Sequence, residues 1–128
     1  MSQENLEIAR QAVACVNRGD DEGFAALMAE DVKYFPIDDS PLQGREQVLE
    51  YARSWSEAFG RYAYESSEYL DVGEYVVISG RTVARGRSSG VEVSSDDAWV
   101  IRFRDGKATE CREYETRTAA LRAVGLSE

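Results

Sequence analysis

Two carboxylates on neighbouring stretches of this sequence have the residue types and spacing for acid–base chemistry. Asp97 and Glu113 lie in segments 91–104 and 107–116, which flank the turn-forming pair Asp105-Gly106. Two carboxyl groups held close together repel when both are ionised, so one keeps its proton as a general acid while the other acts as a base. The pattern therefore predicts an acid–base pair. The alternative is an exposed acidic rim or a charge pair with a nearby arginine.

The turn between the two segments decides whether these acids share a face. A two-residue turn at Asp105-Gly106 pairs Asp97 with Tyr114. A three-residue loop, with Gly106 in the left-handed conformation of a G1 bulge, instead places Asp97 beside Glu113. Because a one-residue slip moves every side chain of a strand to the other face, the two loops predict different sites.

The amino-acid composition excludes several kinds of catalytic site, metal site and binding partner. The chain has 128 residues and no histidine, which excludes a Ser-His-Asp triad, a Cys-His couple and a His-ligated metal site. The net charge of −9 argues against nucleic acid and an anionic membrane surface as partners. We expect a small-molecule partner, no metal and no cofactor. Any catalysis then rests on carboxylates, tyrosine, arginine, cysteine or backbone groups.

Three helices are predicted before the segments that carry the acids, because apolar residues recur there at spacings of three and four. The first helix carries Leu6, Ala9, Val13 and Val16. Asp20 caps a short second helix that carries Phe24, Leu27 and Met28. The third helix carries Val48, Ala52, Trp55 and Phe59.

From residue 61 onward the apolar pattern has a period of two, which is typical of strands. Long strands are predicted at 62–71, 75–87, 91–104 and 107–116, and a short strand at 32–35 is followed by a loop at 38–43. A short helix at 118–124 closes the chain. The order ααβαββββ(α) predicts a single α+β domain over residues 1–128, with one curved antiparallel sheet and the helices on its concave side.

The cellular location is predicted from three features. The first five residues are acidic and polar, unlike the basic and apolar start of a signal peptide. No apolar run approaches the roughly 20 residues needed to span a bilayer. Cys15 and Cys111 are far apart in the sequence, and we expect both to be free thiols. These features predict a cytoplasmic protein.

Five short motifs occur in the order and spacing of a known superfamily. They are Asn17-Arg18-Gly19-Asp20, Gly44-Arg45-Glu46, Phe103-Arg104-Asp105-Gly106-Lys107, Glu113-Tyr114, and Ala119-Ala120-Leu121 followed by Gly125-Leu126. In this combination, which covers nearly the whole chain, the sequence resembles the SnoaL-like polyketide cyclase family of the nuclear-transport-factor-2-like (NTF2-like) cone fold. The resemblance implies a curved sheet around a deep pocket, and a homodimer through the outer sheet face. It implies less about chemistry, because this fold hosts isomerases, cyclases, hydrolases and non-catalytic binders.

The resemblance also favours the three-residue loop. In related cone-fold enzymes the pocket acid of the last strand lies one residue before a tyrosine, as Glu113 precedes Tyr114 here. This register sets Trp99 beside Cys111 inside the pocket. The predicted apolar wall and substrate-binding set comprises Trp55, Phe59, Trp99, Ile101 and Cys111.

One branch of the superfamily suggests a role for Tyr34. Around this residue the sequence resembles limonene-epoxide hydrolases, in which a tyrosine holds the attacking water and an acid at the position of Glu113 orients it. The Asp, Arg and Asn that complete that site are replaced here by Thr82, Gly80 and Pro36. Epoxide hydrolysis by that mechanism is therefore not predicted, and Tyr34 is retained either as a hydrogen-bond donor or as a packing residue under the helices.

The ketosteroid isomerase branch fits less well, because its three functional positions are occupied by Ala12, Phe35 and Trp99. Two hypotheses follow. The first is a cofactor-free enzyme of isomerase, cyclase or hydrolase type that uses the two acids and Tyr34 on a small hydrophobic oxygenated molecule. The second is a non-catalytic module whose pocket is filled by side chains and whose outer sheet face dimerises or binds a protein. A cavity below about 300 Å³ would favour the second hypothesis.

Overall fold

The computed structural model describes residues 2–126, which form an α+β fold. The helices are α1 (Ser2–Asn17), α2 (Asp21–Ala26), α3 (Arg45–Ala58) and α4 (Arg117–Ala123). The strands are β1 (Met28–Phe35), β2 (Leu42–Gln43), β3 (Phe59–Val72), β4 (Tyr75–Gly86), β5 (Glu92–Arg104) and β6 (Lys107–Tyr114). Within the described part of the chain, no helix is long and apolar enough to cross a membrane.

The helices pack on both faces of the sheet. Ala9 of α1 and Val48 of α3 are fully buried against the inner face, which is the face that carries Ile78. Leu121 of α4 packs on the opposite, outer face against Val77 and its neighbours. The predicted position on the concave side is therefore right for the first three helices and wrong for α4, because the outer face has an apolar cluster of its own. The predicted homodimer through this outer face stays a prediction.

Sheet pairing moves several predicted element boundaries. The Asp20 side chain caps α2 by accepting from the Gly23 N–H at 2.8 Å, as predicted, but the helix ends before Met28, which begins β1. Leu42–Gln43, predicted as loop, pairs with β1. Phe59, predicted in the third helix, has an extended backbone with φ −118° and starts β3. In each case hydrogen bonds to a neighbouring strand override the local pattern.

The strand order across the sheet is β2-β1-β6-β5-β4-β3. β1 and β6 run parallel, whereas the other neighbouring strands are antiparallel. The predicted antiparallel sheet is therefore wrong at this one pair. Two parallel neighbours need a long connection, and here α3 and four strands supply it. The period-two pattern shows which residues of a strand share a face. It does not show whether a strand that is distant in the sequence pairs with it in a parallel or an antiparallel direction.

The β5–β6 hairpin differs from the prediction at its turn. Asp105 and Gly106 have positive φ angles of 52° and 76° and form a two-residue turn between the paired residues Arg104 and Lys107. Positive φ at both central positions is typical of a type I′ turn, so the predicted three-residue loop is wrong. Thr109 is an extra residue in β6 that has no paired residue in β5. It forms a β-bulge, which shifts the pairing of the two strands by one residue.

The bulge determines which side chains of β6 face inward. Trp99 lies opposite Glu113, and not opposite Cys111 as predicted, while Ile101 lies opposite Cys111. The predicted partners are therefore wrong by two residues. Because side chains alternate with a period of two, a shift of two leaves the faces unchanged. Glu113 consequently shares the inner face with Asp97.

Candidate functional site

A cavity of about 760 Å³ lies between the inner face of the sheet and the first three helices. It is lined by six residues singled out in the sequence: Tyr34, Trp55, Phe59, Trp99, Ile101 and Cys111. Ligand pockets commonly enclose about 300–1,000 Å³. The cavity volume lies within this range although two tryptophans line the cavity. The hypothesis of a module whose pocket is filled by its own side chains is therefore not favoured.

Aromatic rings form a continuous wall along this cavity. The ring centroids of Tyr34 and Trp99 are 5.3 Å apart. Trp55 and Phe59 stack with centroids 5.0 Å apart and an interplanar angle of 14°, and Tyr62 lies 5.2 Å from Trp55. Such ring pairs bury large apolar areas in fixed geometries. The wall is therefore suited to a flat apolar ligand.

Asp97 is the buried acid of the inner face, with only 6% of its surface exposed. The Thr82 hydroxyl donates to its carboxyl group, with Oγ1 lying 3.1 Å and 3.0 Å from the two oxygens. The Tyr64 hydroxyl donates to the Asp97 backbone carbonyl at 3.0 Å. Asp96 points the other way and pairs with Arg81 at 3.5 Å. Of these two adjacent acids, Asp97 therefore has a buried carboxyl group and Asp96 has an exposed one.

Glu113 lies next to Asp97 and is half-buried. Its Oε1 accepts a hydrogen bond from the backbone N–H of Ile37 at 3.1 Å. Burial is the largest cause that raises the pKa of Asp97 to about 8, followed by hydrogen bonding with Glu113 and the charge of that group. Hydrogen bonds from Thr82 and Trp99 oppose the rise. Asp97 therefore keeps its proton at neutral pH.

The acid pair lies behind the cavity wall rather than on it. Among the described residues, the lining of the large cavity includes Thr82 and Tyr62 but neither Asp97 nor Glu113. Asp97 instead borders a smaller recess of about 470 Å³. Because Thr82 is on the cavity surface and bonds directly to Asp97, it connects the acid pair to the cavity.

Three polar residues of the site were not predicted: Tyr62, Tyr64 and Thr82. Tyr62 and Tyr64 alternate along β3, and Thr82 of β4 pairs directly with Tyr64. The period-two pattern was the available signal. It could not say which face is inward, because that depends on the register between β3 and β4.

Burial keeps the hydroxyl and thiol groups around the cavity protonated. The pKa of Tyr34 is raised well above its ordinary value, chiefly by burial. Burial and the charges of the two acids raise the pKa of Tyr62 to about 12, and burial raises the pKa of Cys111 to about 12. The tyrosines are therefore hydrogen-bond donors at neutral pH, and the thiol is not a nucleophile. Across residues 2–126, no three or more acidic or cysteine side chains are grouped to hold a metal ion.

The family follows from a match that covers most of the chain. Residues 9–111 match the SnoaL-like domain. The chain belongs to the SnoaL-like domain family. This agrees with the resemblance of the sequence motifs and with the six-stranded sheet described above. No curated protein matches this SnoaL-like chain.

Solved structures share the fold of this SnoaL-like protein. A hypothetical protein with a ketosteroid isomerase-like fold from Catenulispora acidiphila, in complex with trimethylamine, has a TM-score of 0.80 at 18% identity, covering 94% of this chain and 93% of its own. A putative polyketide cyclase from Xanthomonas campestris pv. campestris has a TM-score of 0.77 at 17% identity, with 97% and 98% covered. An NTF2-like protein from Burkholderia xenovorans has a TM-score of 0.71 at 27% identity, with 98% of both chains covered. These likenesses establish the NTF2-like fold, whereas the reaction has to be argued from the site.

Proposed function

We propose that this SnoaL-like protein binds a small apolar molecule carrying oxygen and moves a proton on it with the Asp97–Glu113 pair. The observation that carries the proposal is a buried acid joined through Thr82 to the wall of an aromatic cavity. The activity is cofactor-free and of isomerase, cyclase or hydrolase type. A structural relative described as a putative polyketide cyclase supports this class of chemistry.

The hydrogen bonds of the two carboxyl groups give them different roles. The backbone N–H of Ile37 donates to Glu113 Oε1 at 3.1 Å, so this oxygen is held as an acceptor. Asp97 is buried, and its pKa of about 8 leaves it protonated at neutral pH. Two interacting acids whose environments differ in this way separate into an acid and a base. We assign Asp97 as the acid and Glu113 as the base.

The pair completes a proton transfer without an outside acid or base. A substrate that extends from the cavity along the inner face of the sheet reaches Glu113. Glu113 then accepts a proton from a C–H or O–H bond of the substrate, and the bonding electrons stay on the substrate. The Thr82 hydroxyl, which donates to Asp97 in the resting protein, turns its proton toward the substrate. Protonated Asp97 then gives its proton to Thr82 Oγ1 as Thr82 passes its own proton to the atom where those electrons arrive. The proton on Glu113 then moves to Asp97 through the hydrogen bond between the two acids, which restores the starting state.

Exchange of hydrogen for deuterium next to a carbonyl group tests this activity without knowledge of the natural substrate. In heavy water, the wild-type protein should accelerate deuterium incorporation into members of a panel of small apolar ketones, measured by mass spectrometry. Asp97→Asn and Glu113→Gln should each lower the rate by about 100-fold or more, as expected for loss of one acid or base.

Asp96→Asn is the matched control, because it removes the adjacent carboxyl group on the exposed side. Its exchange rate should equal that of the wild-type protein. The proposal fails if no ketone exchanges faster with the wild-type protein than in buffer. It also fails if folded Asp97→Asn and Glu113→Gln variants retain the full rate.

Binding without turnover is the second candidate function. The observation that favours it is that neither Asp97 nor Glu113 belongs to the described lining of the large cavity. A ligand that binds only the native state raises the melting temperature whether or not it reacts. Equal stabilisation of the wild-type protein and Asp97→Asn by a ketone, with no deuterium incorporation, would select this candidate.

A further inference from the structure

We propose that the hydroxyls of Tyr34 and Tyr62 together bind one carbonyl oxygen of the ligand. The ligand class is then an apolar carbonyl compound, placed with its oxygen between the two tyrosines. This inference rests on the proposed function, to which it adds the recognised group and a second recognition residue that the sequence patterns did not reveal.

The Tyr34 side chain is buried, and its hydroxyl forms no hydrogen bond with any residue that the structure describes. Only 7% of its surface is exposed, and its ring packs between Trp99 and Tyr51, with centroids 5.3 Å and 6.0 Å away. Within residues 2–126, no fully enclosed side-chain nitrogen or oxygen lacks a hydrogen-bond partner. The unbonded Tyr34 hydroxyl must therefore keep some accessible surface, and the cavity that Tyr34 lines is the open space beside it.

Tyr62 on β3 is a second tyrosine of the cavity lining whose hydroxyl is available to a ligand. It is half-buried on β3, lines the cavity, and its hydroxyl bonds to no described residue. The two other tyrosines of the lining are already engaged: Tyr51 donates to Asp39 at 2.9 Å and Tyr64 donates to the Asp97 carbonyl at 3.0 Å. Among the described residues of the lining, Tyr34 and Tyr62 are thus the two tyrosines with a hydroxyl available to a ligand.

Tyr34 and Tyr62 line the same cavity, and the rings of Tyr51 and Trp55 connect them, with successive centroid distances of 6.0, 6.1 and 5.2 Å. Tyr34 is close enough to Tyr62 and Glu113 for their charges to raise its pKa further. Tyr62 is likewise close enough to feel the charges of Glu113 and Asp97. A ligand oxygen bound between the hydroxyls therefore lies beside the acid and the base that we assign.

A carbonyl oxygen fits this pair of donors, because it has two lone pairs and no proton of its own. A ligand that fills the cavity buries both hydroxyls, and a buried donor without a partner costs about 1–3 kcal/mol, which a ligand that supplies an acceptor avoids. Negative charge that develops on the oxygen during proton removal strengthens both hydrogen bonds, which stabilises the transition state. An apolar ligand that lacks the oxygen obtains neither effect.

The test compares acetophenone with α-methylstyrene, in which a CH2 group replaces the carbonyl oxygen. The wild-type protein should bind acetophenone more tightly, as measured by titration calorimetry. Tyr62→Phe and Tyr34→Phe should each weaken acetophenone binding by about threefold to tenfold, as expected for one hydrogen bond, and leave α-methylstyrene binding unchanged. Tyr114→Phe, on the outer face, is the control and should change neither affinity.

The infrared stretch of a ¹³C-labelled acetophenone carbonyl gives a second readout that packing alone does not move. In the wild-type complex the stretch should lie below its frequency in an apolar solvent, and Tyr62→Phe and Tyr34→Phe should each move it back toward that value. Equal binding of both probes, with a carbonyl stretch that Tyr62→Phe leaves unchanged, would overturn this inference alone. Failure of every ketone to bind would overturn the proposed function and this inference with it.

Discussion

The Thr82 hydroxyl lies 3.1 Å and 3.0 Å from the two carboxyl oxygens of Asp97, and it links the buried acid on β5 to the cavity wall on β4. A donor to a carboxylate favours the ionised form of that group. Thr82 therefore lowers the pKa of Asp97, whereas burial and Glu113 raise it. The balance, at about 8, places the titration of Asp97 close to neutral pH.

Replacing Thr82 by valine should raise the pKa of Asp97 further, because valine has nearly the same shape and no hydroxyl to donate. The measurement is the carboxyl ¹³C chemical shift of Asp97 followed through a pH titration. Thr82→Ser keeps the hydroxyl and should titrate close to the wild-type protein. A lower titration midpoint in Thr82→Val would contradict the assigned hydrogen bond.

Asp97 should also make the stability of the fold depend on pH. Its pKa is about 8 in the folded protein against an ordinary value of 3.8, so the native state binds more protons than the unfolded chain between these pH values. The contribution of this residue to the free energy of unfolding therefore falls as pH rises from about 4 to about 8, by at most about 1.4 kcal/mol per pH unit. Asp97→Asn should remove this decline in chemical denaturation experiments, whereas Asp96→Asn should retain it. An unchanged slope in Asp97→Asn would show that another group is responsible.

Gly80→Ala should destabilise the fold, because the backbone of β3 lies close to the position that the alanine Cβ would occupy. A Cβ added there would collide with the backbone carbonyl oxygen of Glu65 and lie 2.8 Å from the Ser66 Cα. The backbone of β3 cannot move aside cheaply, so we expect a loss of about 2 kcal/mol or more in the free energy of unfolding.

Gly60→Ala is the control for that substitution, since Gly60 is also a strand glycine and its added Cβ would meet nothing closer than the Arg87 Cα at 3.8 Å. Its free energy of unfolding should change by no more than about 0.5 kcal/mol. Similar melting curves for the two alanine variants would argue against the close approach at Gly80.

Cys15 and Cys111, both free and buried, should resist thiol reagents while the protein is folded. Burial raises the pKa of both thiols, to about 12 for Cys111, so its thiolate is scarce at pH 8. Ellman's reagent should react slowly with the native protein and should titrate two thiols in guanidinium chloride. Rapid reaction of native Cys111 would contradict its placement inside the core.

Local patterns were sufficient to predict the type and order of most elements. The spacing of Trp55 and its neighbours predicted α3, and the period-two segments predicted four long strands, because these patterns depend only on residues close in sequence. The parallel contact of β1 with β6 could not be predicted in this way. It joins residues such as Tyr34 and Cys111, which are separated by most of the chain.

The candidate site was predictable only where the facing of a strand could be inferred. Glu113 was placed on the inner face although its predicted pairing was wrong, because the three-residue loop and the bulged two-residue turn give the same facing. Tyr62 and Thr82 carried no comparable signal. Their place beside Asp97 depends on the register of β3 on β4 and of β4 on β5, which is a property of the assembled sheet.

The bulge at Thr109 also bears on how SnoaL-like sequences should be aligned. A relative that lacks this one residue keeps the same partners across the hairpin, since Ala108 and Glu110 already pair with consecutive residues of β5. A one-residue gap at Thr109 is therefore structurally neutral, whereas a gap at Arg112 carries Glu113 off the inner face. Equivalence of acids between family members should be judged by counting from this bulge, and not from the turn or from the neighbouring tyrosine.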